Sequence, residues 1–189
     1  MKLDENAKVA QQATTEFPLS DFDLDGATRI TTAENLPIFH IRGGPNDPTL
    51  QCYAIQADGQ YVSMILGVLG TFNEKTALYI QRTYTVPQYR NRGLVTSLYN
   101  ALYYKMKYVL VSDGEMSPET ISVWHKLAGS LPVQVLDIHS RQTRPFRDTP
   151  EDQIFNGDKD VRLVLERFIP DPNWLVIPDR SVLLADNVN

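Results

Sequence analysis

Cysteine is nearly missing from this chain. Cys52 is the single thiol in 189 residues, so no internal disulfide can form and a thiolate metal site is excluded. Histidine is scarce too: His40, His125 and His139 lie far apart without metal-ligand spacing, and no metal site is expected. No apolar run approaches the roughly 18 to 20 residues of a membrane span, and Met1 to Gln12 is polar, with no signal-peptide core. The expectation is a cytoplasmic protein without a membrane partner. Positive charge is in deficit, 18 Lys and Arg against 23 Asp and Glu, for a net charge of -5. An acidic domain disfavours general nucleic-acid binding, although a local basic patch can still meet one anionic ligand. Neither GxxxxGK[ST] nor GxGxxG occurs, which excludes the two common glycine-rich phosphate loops.

What remains is a chain with 42% apolar residues, long enough for one domain over residues 1–189 with a substantial core. A polar N-terminal segment (1–19) and a proline-bearing C-terminal tail (170–189) flank it, the tail anchored through Trp174, Leu175, Val176 and Ile177. Ala27 to Thr32 and Pro37 to Arg42 suit short strands, and Gly43 to Pro48 is dense in turn formers. Gln51 to Ala57 and Gln60 to Leu69 flank Asp58-Gly59, the dipeptide of a tight hairpin. Ala77 to Val86 reads as a further strand, with Leu78, Ile80, Tyr84 and Val86 on one face. From Gly93 to Met106 the period becomes helical, with Leu94, Leu98, Leu102 and Met106 every fourth residue. Tyr108 to Ser112 is a short apolar strand of the kind buried on both faces, which makes strand, helix and strand a parallel crossover. Ser117-Pro118 reads as a cap and first position of a second helix of about ten residues, with Gly129 as the left-handed residue past its end. Val133 to Ile138 and Val161 to Phe168 complete the strands, separated by a polar loop, Arg141 to Asp160. The fold class is α/β (α+β): a mixed, mostly antiparallel sheet with a central parallel strand-helix-strand unit and flanking helices.

The most informative stretch is Val86-Pro87-Gln88-Tyr89-Arg90-Asn91-Arg92-Gly93-Leu94-Val95, which joins a strand to a helix. Between Lys75 and Ser112 the chain has six basic residues, Lys75, Arg82, Arg90, Arg92, Lys105 and Lys107, and no Asp or Glu. A helix N-terminus leaves its first amides unpartnered and carries about half a positive charge. The amides from Arg92 to Thr96 are therefore expected phosphate donors, with Gly93 permitting close approach and Arg90 and Arg92 adding permanent charge. A solvated, ligand-free connection fits the same residues.

The order hairpin, strand, Val86-Pro87-x-Tyr89-Arg90-x-Arg92-Gly93-Leu94, helix, buried strand, Ser-capped helix and Leu127-Ala128-Gly129 resembles the GNAT family of N-acetyltransferases. That family's Gln/Arg-x-x-Gly-x-Gly/Ala signature maps to Arg90, Gly93 and Val95, firmly over Ala77 to Gly129 and by strand order over Gln51 to Phe168. The resemblance implies a domain that binds acetyl-CoA and transfers acetyl to an amine. It places the coenzyme A pyrophosphate at Arg90, Asn91, Arg92, Gly93, Leu94, Val95 and Thr96. The pantetheine arm would lie along Tyr84, Thr85 and Val86, whose backbone amide would polarise the thioester, and Trp124 would flank the thiol. The chain also resembles small GNAT-like proteins encoded by bacteriophages, which implies a host protein as a partner.

Three departures from the family shape the expected chemistry. Val95 stands where the family has Gly or Ala. Trp124 stands where the family often has a thiolate-protonating tyrosine, and an indole NH is no such acid. The strand before the turn has no carboxylate, so the base candidates become Asp113 and Glu115, with Ser117 as a third catalytic candidate. Each has a structural alternative: Asp113 bonding its own turn, Ser117 capping a helix, Trp124 packing with Ile121 and Leu127, and Tyr84 facing the core. The rival functions are a non-catalytic module that binds a host protein and a nucleic-acid binder acting through Lys75 to Lys107.

Overall fold

A computed structural model describes residues 22–33, 35–44, 47–155 and 160–166 and the backbone of 175–176. The expected polar segment 1–19 and most of the 170–189 tail, Trp174 and Ile177 included, lie outside the described residues.

The strands are β1 (Thr28–Ala33), β2 (Leu36–Arg42), β3 (Leu50–Ala57), β4 (Gln60–Phe72), β5 (Lys75–Thr85), β6 (Val109–Val111), β7 (Val133–Asp137), β8 (Thr143–Pro145), β9 (Val161–Leu165) and β10 (Leu175–Val176). Among the described residues stand two α-helices, α1 (Leu94–Tyr104) and α2 (Pro118–Ser130). The sheet runs β1-β2-β3-β4-β5-β6-β9-β7-β8, with β10 against the far end of β4 at Thr71 and Phe72. Among the described residues β5 and β6 pair in parallel and the other ladders are antiparallel. The hairpin at Asp58-Gly59 has the left-handed backbone that such a turn needs, φ 51° and 77°. The parallel crossover follows from sequence, since two parallel neighbours need a long connection and α1 supplies it.

Alternation across the strands divides the core. Tyr53 and Ile55 of β3 and Leu110 of β6 join Leu94, Leu98, Leu102, Leu127 and Ala128 of the helices in one large cluster. Cys52, Ala54, Met64 and Leu66 form a second cluster, and Ala77, Tyr79, Val109 and Val111 a third. Both helices therefore pack on one face of the sheet, and β6 is buried on both faces as its apolar run requires.

A bulge corrects the expected facing of β5. Leu66 pairs with Arg82 and Gly67 with Ile80, so Gln81 is extra and the alternation reverses past it. Leu78 and Ile80 face the helices, while Tyr84 packs on the opposite cluster. Gly67 is needed here, because a Cβ on it would lie 2.5 Å from the Tyr79 carbonyl oxygen.

The second helix also differs from its expected end. Gly129 lies inside α2, and Leu131 is its extended C-cap. The terminal carbonyls are instead satisfied by Arg147, whose Nε and Nη2 donate to the Ala128 oxygen at 2.9 and 2.7 Å and whose Nη2 also reaches the Gly129 oxygen at 2.8 Å. A cation at a helix C-terminus suits the dipole and replaces a left-handed glycine cap. The loop that carries Arg147 is correspondingly more ordered than its polar sequence suggests: it contains β8, 3-10 turns at Phe146–Asp148 and Glu151–Gln153, and buried Phe146 and Ile154.

Candidate functional site

The central feature is an opening between β5 and β6. They pair only over Ala77–Tyr79 and Val109–Val111. Past Val111 the chain is held to β9 instead: the Ser112 amide donates to the Leu163 oxygen at 2.8 Å, and the Leu163 amide donates to Ser112 Oγ at 2.8 Å. Meanwhile the bulge at Gln81 turns β5. The stretch from Ile80 to Thr85 thus has β4 on one flank and, among the described residues, no strand paired on the other.

Beyond β5 a 3-10 turn at Pro87–Tyr89 leads into α1, with Asn91 at φ 60° and Gly93 at φ 76°. Gly93 is the N-cap of α1 and offers no side-chain acceptor; the first helical turn has no acidic residue. The Ser97 amide makes the first helical bond, to the Gly93 oxygen at 2.9 Å. The amides of Leu94, Val95 and Thr96 precede it and are the orphan donors of the helix. A Cβ on Gly93 would meet nothing within 4 Å, so the space in front of this turn is open.

That space is a cleft of about 650 Å³. Thr83, Tyr84 and Thr85 form one wall, Tyr89 to Thr96 the end, and Ser117, Glu119, Thr120, Val123 and Lys126 of α2 and its cap the other wall. Arg90, Arg92 and Lys126 bring positive charge against the single carboxylate of Glu119. Arg90 is positioned by its Nε, which donates to the Thr85 oxygen at 3.1 Å. Arg92 lies 4.9 Å over the Tyr89 ring, and the Tyr89 hydroxyl donates to Asp58 Oδ2 at 2.9 Å, tying the turn to the β3–β4 hairpin. That hydrogen bond, with help from partial desolvation and the Asp58 charge, pushes the Tyr89 phenol above its ordinary pKa. Glu119 is held below the usual carboxylate range by its own backbone amide, by the Ser117 hydroxyl and by the nearby Arg90 charge.

Of the residues expected to hold a cofactor, Tyr84, Thr85, Arg90, Asn91, Arg92, Gly93, Leu94, Val95 and Thr96 line this cleft. Val95 also packs partly on the main core, which draws its branched side chain inward. Two expectations are corrected. Val86 is buried and does not line the cleft, and its amide donates to the Val62 oxygen of β4 at 2.9 Å. Trp124 is 0% exposed and packs edge-on to Tyr99 with ring centroids 5.3 Å apart; helical spacing with Leu127 and Ala128 carries it into the core, away from the cleft.

The three catalytic candidates are not brought together. Ser117 lines the cleft, but its Oγ accepts from the Thr120 amide at 3.3 Å as the α2 N-cap. Asp113 stays out of the cleft wall, with Oδ1 accepting from the Gly114 amide at 2.7 Å in its own turn. Glu115 is exposed and lines a separate hollow of about 390 Å³ that shares Ser117 with the cleft. Sequence reading missed Lys126 and Thr83, which enter only through the approach of α2 and the reversal of β5. The six basic residues disperse: Lys75 lies 2.6 Å from buried Glu166, while Arg90 and Arg92 face the cleft.

Among the described residues no group of His, Cys, Asp and Glu could hold a metal, and no helix is long and apolar enough to cross a membrane. No family model matches the sequence, and no curated protein matches it.

Proposed function

We propose that this chain binds the diphosphate of an acyl coenzyme A at the start of α1 and is an N-acetyltransferase of the GNAT type, moving acetyl from acetyl-CoA to an amine. The observation that carries the reading is the union of two features in one cleft: the first amides of α1 behind an open Gly93 with no side-chain cap, and the end of β5, which β6 pairs only as far as Tyr79. A diphosphate suits the first and an amide-bearing pantetheine arm suits the second. Arg90, Arg92 and Lys126 supply compensating charge in a chain that is acidic overall.

Acetyl-CoA supplies an activated acyl group whose thiolate leaves without a strong acid, since a thiol pKa lies near 8.5. The amine nitrogen bonds to the acetyl carbon, the carbon–sulfur bond breaks, and the ammonium proton passes to a carboxylate or to water. Residues of the cleft bind and orient; proton transfer falls to groups at its edge, of which Glu115 is the exposed carboxylate in the adjoining hollow.

One observation favours a second reading, a cofactor-binding module that acts by binding a host protein. Trp124 is sealed in the core, Ser117 is engaged as a cap, and neither Asp113 nor Glu115 lines the cleft, so none of the acid or base candidates read from the sequence stands free in it. Calorimetry with coenzyme A followed by a thiol-release assay across amines separates the two. Arg90→Ala is expected to weaken coenzyme A binding by about 1 to 3 kcal/mol, the range of a charge-assisted contact. Unchanged affinity in Arg90→Ala and Arg92→Ala would remove the side-chain part of the phosphate site. Binding without turnover would leave the module.

A further inference from the structure

Among the described residues the Arg92 guanidinium is held by a ring and not by a carboxylate: its central carbon lies 4.9 Å from the centroid of Tyr89. A cation over an aromatic face is attracted by the negative side of the ring quadrupole. The Tyr89 ring is itself held on two sides. Its body is half-buried and packs against the main core, and its hydroxyl donates to Asp58 Oδ2 at 2.9 Å.

Asp58 reaches this ring from 31 positions earlier in the chain, at the tip of the β3–β4 hairpin. That tip is a firm support. Ala57 pairs with Gln60 across it, Asp58 and Gly59 hold left-handed backbone at φ 51° and 77°, and Gln56 Nε2 donates to the Gly59 oxygen at 3.4 Å. A two-residue turn of this kind matches the twist of its strands, so the carboxylate is placed by the sheet and not by a free loop. Asp58 does not line the cleft, whereas Tyr89 and Arg92 do.

We propose that Asp58 is a positioning residue of the anion site, a statement that rests on reading the start of α1 as a diphosphate site: it holds the Tyr89 phenol, and the ring in turn holds the Arg92 guanidinium at the end of the cleft. Ordering a long side chain before the ligand arrives removes part of the entropy cost of binding. The sign of the effect separates this role from plain electrostatics. A carboxylate near an anion site repels the ligand, so on charge alone the loss of Asp58 tightens binding. Positioning gives the reverse, because the loss of Asp58 loosens Tyr89 and releases Arg92.

The test is calorimetry of the full chain with coenzyme A and, separately, with inorganic pyrophosphate, joined to side-chain NMR of Arg92 in the free protein. Asp58→Gly keeps the left-handed turn and deletes the acceptor, while Tyr89→Phe keeps the ring and deletes the donor. Each should weaken both ligands by about threefold, the size of an exposed cation–π contact. The double variant should be no worse than either single one, and in an Arg92→Ala background Asp58→Gly should not weaken binding. Asp58→Asn suits the same turn, keeps an acceptor oxygen and drops the charge, so it should bind at least as tightly as the unmodified chain. In the free protein the Tyr89 ring current should move the Arg92 side-chain protons upfield, and Asp58→Gly should reduce that shift. Unchanged or tighter binding in Asp58→Gly, an equal loss in the Arg92→Ala background, or Arg92 resonances indifferent to Asp58 would overturn the positioning role and leave the diphosphate site standing. The full pattern with pyrophosphate but no binding of coenzyme A would support the positioning role and remove the coenzyme reading. Binding of neither ligand would overturn both.

Discussion

The helices α1 and α2 begin in opposite ways. At α2, Ser117 accepts from the Thr120 amide, Pro118 at the first position has no amide to satisfy, and Glu119 sets a negative charge against the dipole. At α1 the cap is a glycine in the left-handed region with no side-chain acceptor, no acid follows in the first turn, and two arginines precede it. One helix start is closed by its own cap residue; at the other, the cap residue offers no side-chain acceptor. The two face each other across one cleft, α2 and its cap forming a wall and the start of α1 the end where the anion site is proposed.

The largest break in this contrast should come from Gly93→Val. A β-branched residue at φ 76° is strained by about 1 to 3 kcal/mol, and its methyl groups would enter the open space where a diphosphate would sit. Thermal unfolding should show the loss of stability, and calorimetry should show no coenzyme A binding. Gly93→Ala, with strain but little bulk, should keep measurable affinity. Equal affinity in the valine variant and the unmodified chain would mean that no ligand approaches this backbone.

Thr96→Glu should move two quantities in opposite directions. A carboxylate in the first turn of α1 gives it the electrostatics of α2, which is worth about 0.3 to 1 kcal/mol in stability. The same charge would occupy or repel the anion site, so coenzyme A affinity should fall by at least about tenfold, or 1.4 kcal/mol. A rise in melting temperature without loss of affinity would separate the helix start from the ligand.

The difference between the helix starts was legible in the sequence, because Gly93 and Ser117-Pro118 differ in what their atoms can accept. So were the hairpin, the parallel crossover and the doubly buried β6, each written as a short-range pattern. Three features were not. The facing of Tyr84 depends on one extra residue in β5, and a bulge is set by the pairing partner Gly67 as much as by β5 itself. The end of α2 depends on Arg147, a residue 18 or 19 positions away from the carbonyls it caps. Trp124 had helical neighbours in Ile121 and Leu127 that favoured the core, against a place beside the thiol that only the resemblance implied, and it packs in the core against Tyr99. In the site, Tyr84 and Thr85 and the run from Arg90 to Thr96 came together, whereas Val86 is buried; Lys126, Thr83 and the hollow of Glu115 arise from distant segments.

Ser117→Ala sharpens the comparison from the closed side. Loss of the cap leaves the Thr120 amide without its acceptor and should cost about 1 kcal/mol in thermal or urea unfolding. Coenzyme A affinity should stay within about twofold, since 0.4 kcal/mol is the corresponding free energy and the hydroxyl is already engaged inside the helix. A collapse of affinity with stability unchanged would give Ser117 a role at the ligand instead.

Glu119→Gln should give the smallest effect and one with a defined pH window. The backbone amide of Glu119, the Ser117 hydroxyl and the Arg90 charge hold this carboxyl below its ordinary value of 4.5. Because the folded pKa is the lower one, the folded state binds the proton less readily than the unfolded chain does. The carboxylate therefore contributes stability above pH 4.5, and the contribution disappears as the pH falls through the folded value. The melting temperature of the unmodified chain should exceed that of Glu119→Gln near neutrality, and the gap should close under acid conditions. Salt should shrink the gap, because the group is on the surface. A gap that persisted in acid would show that the side chain acts at α2 through shape rather than charge, and the electrostatic half of the contrast with α1 would then rest on the arginines alone.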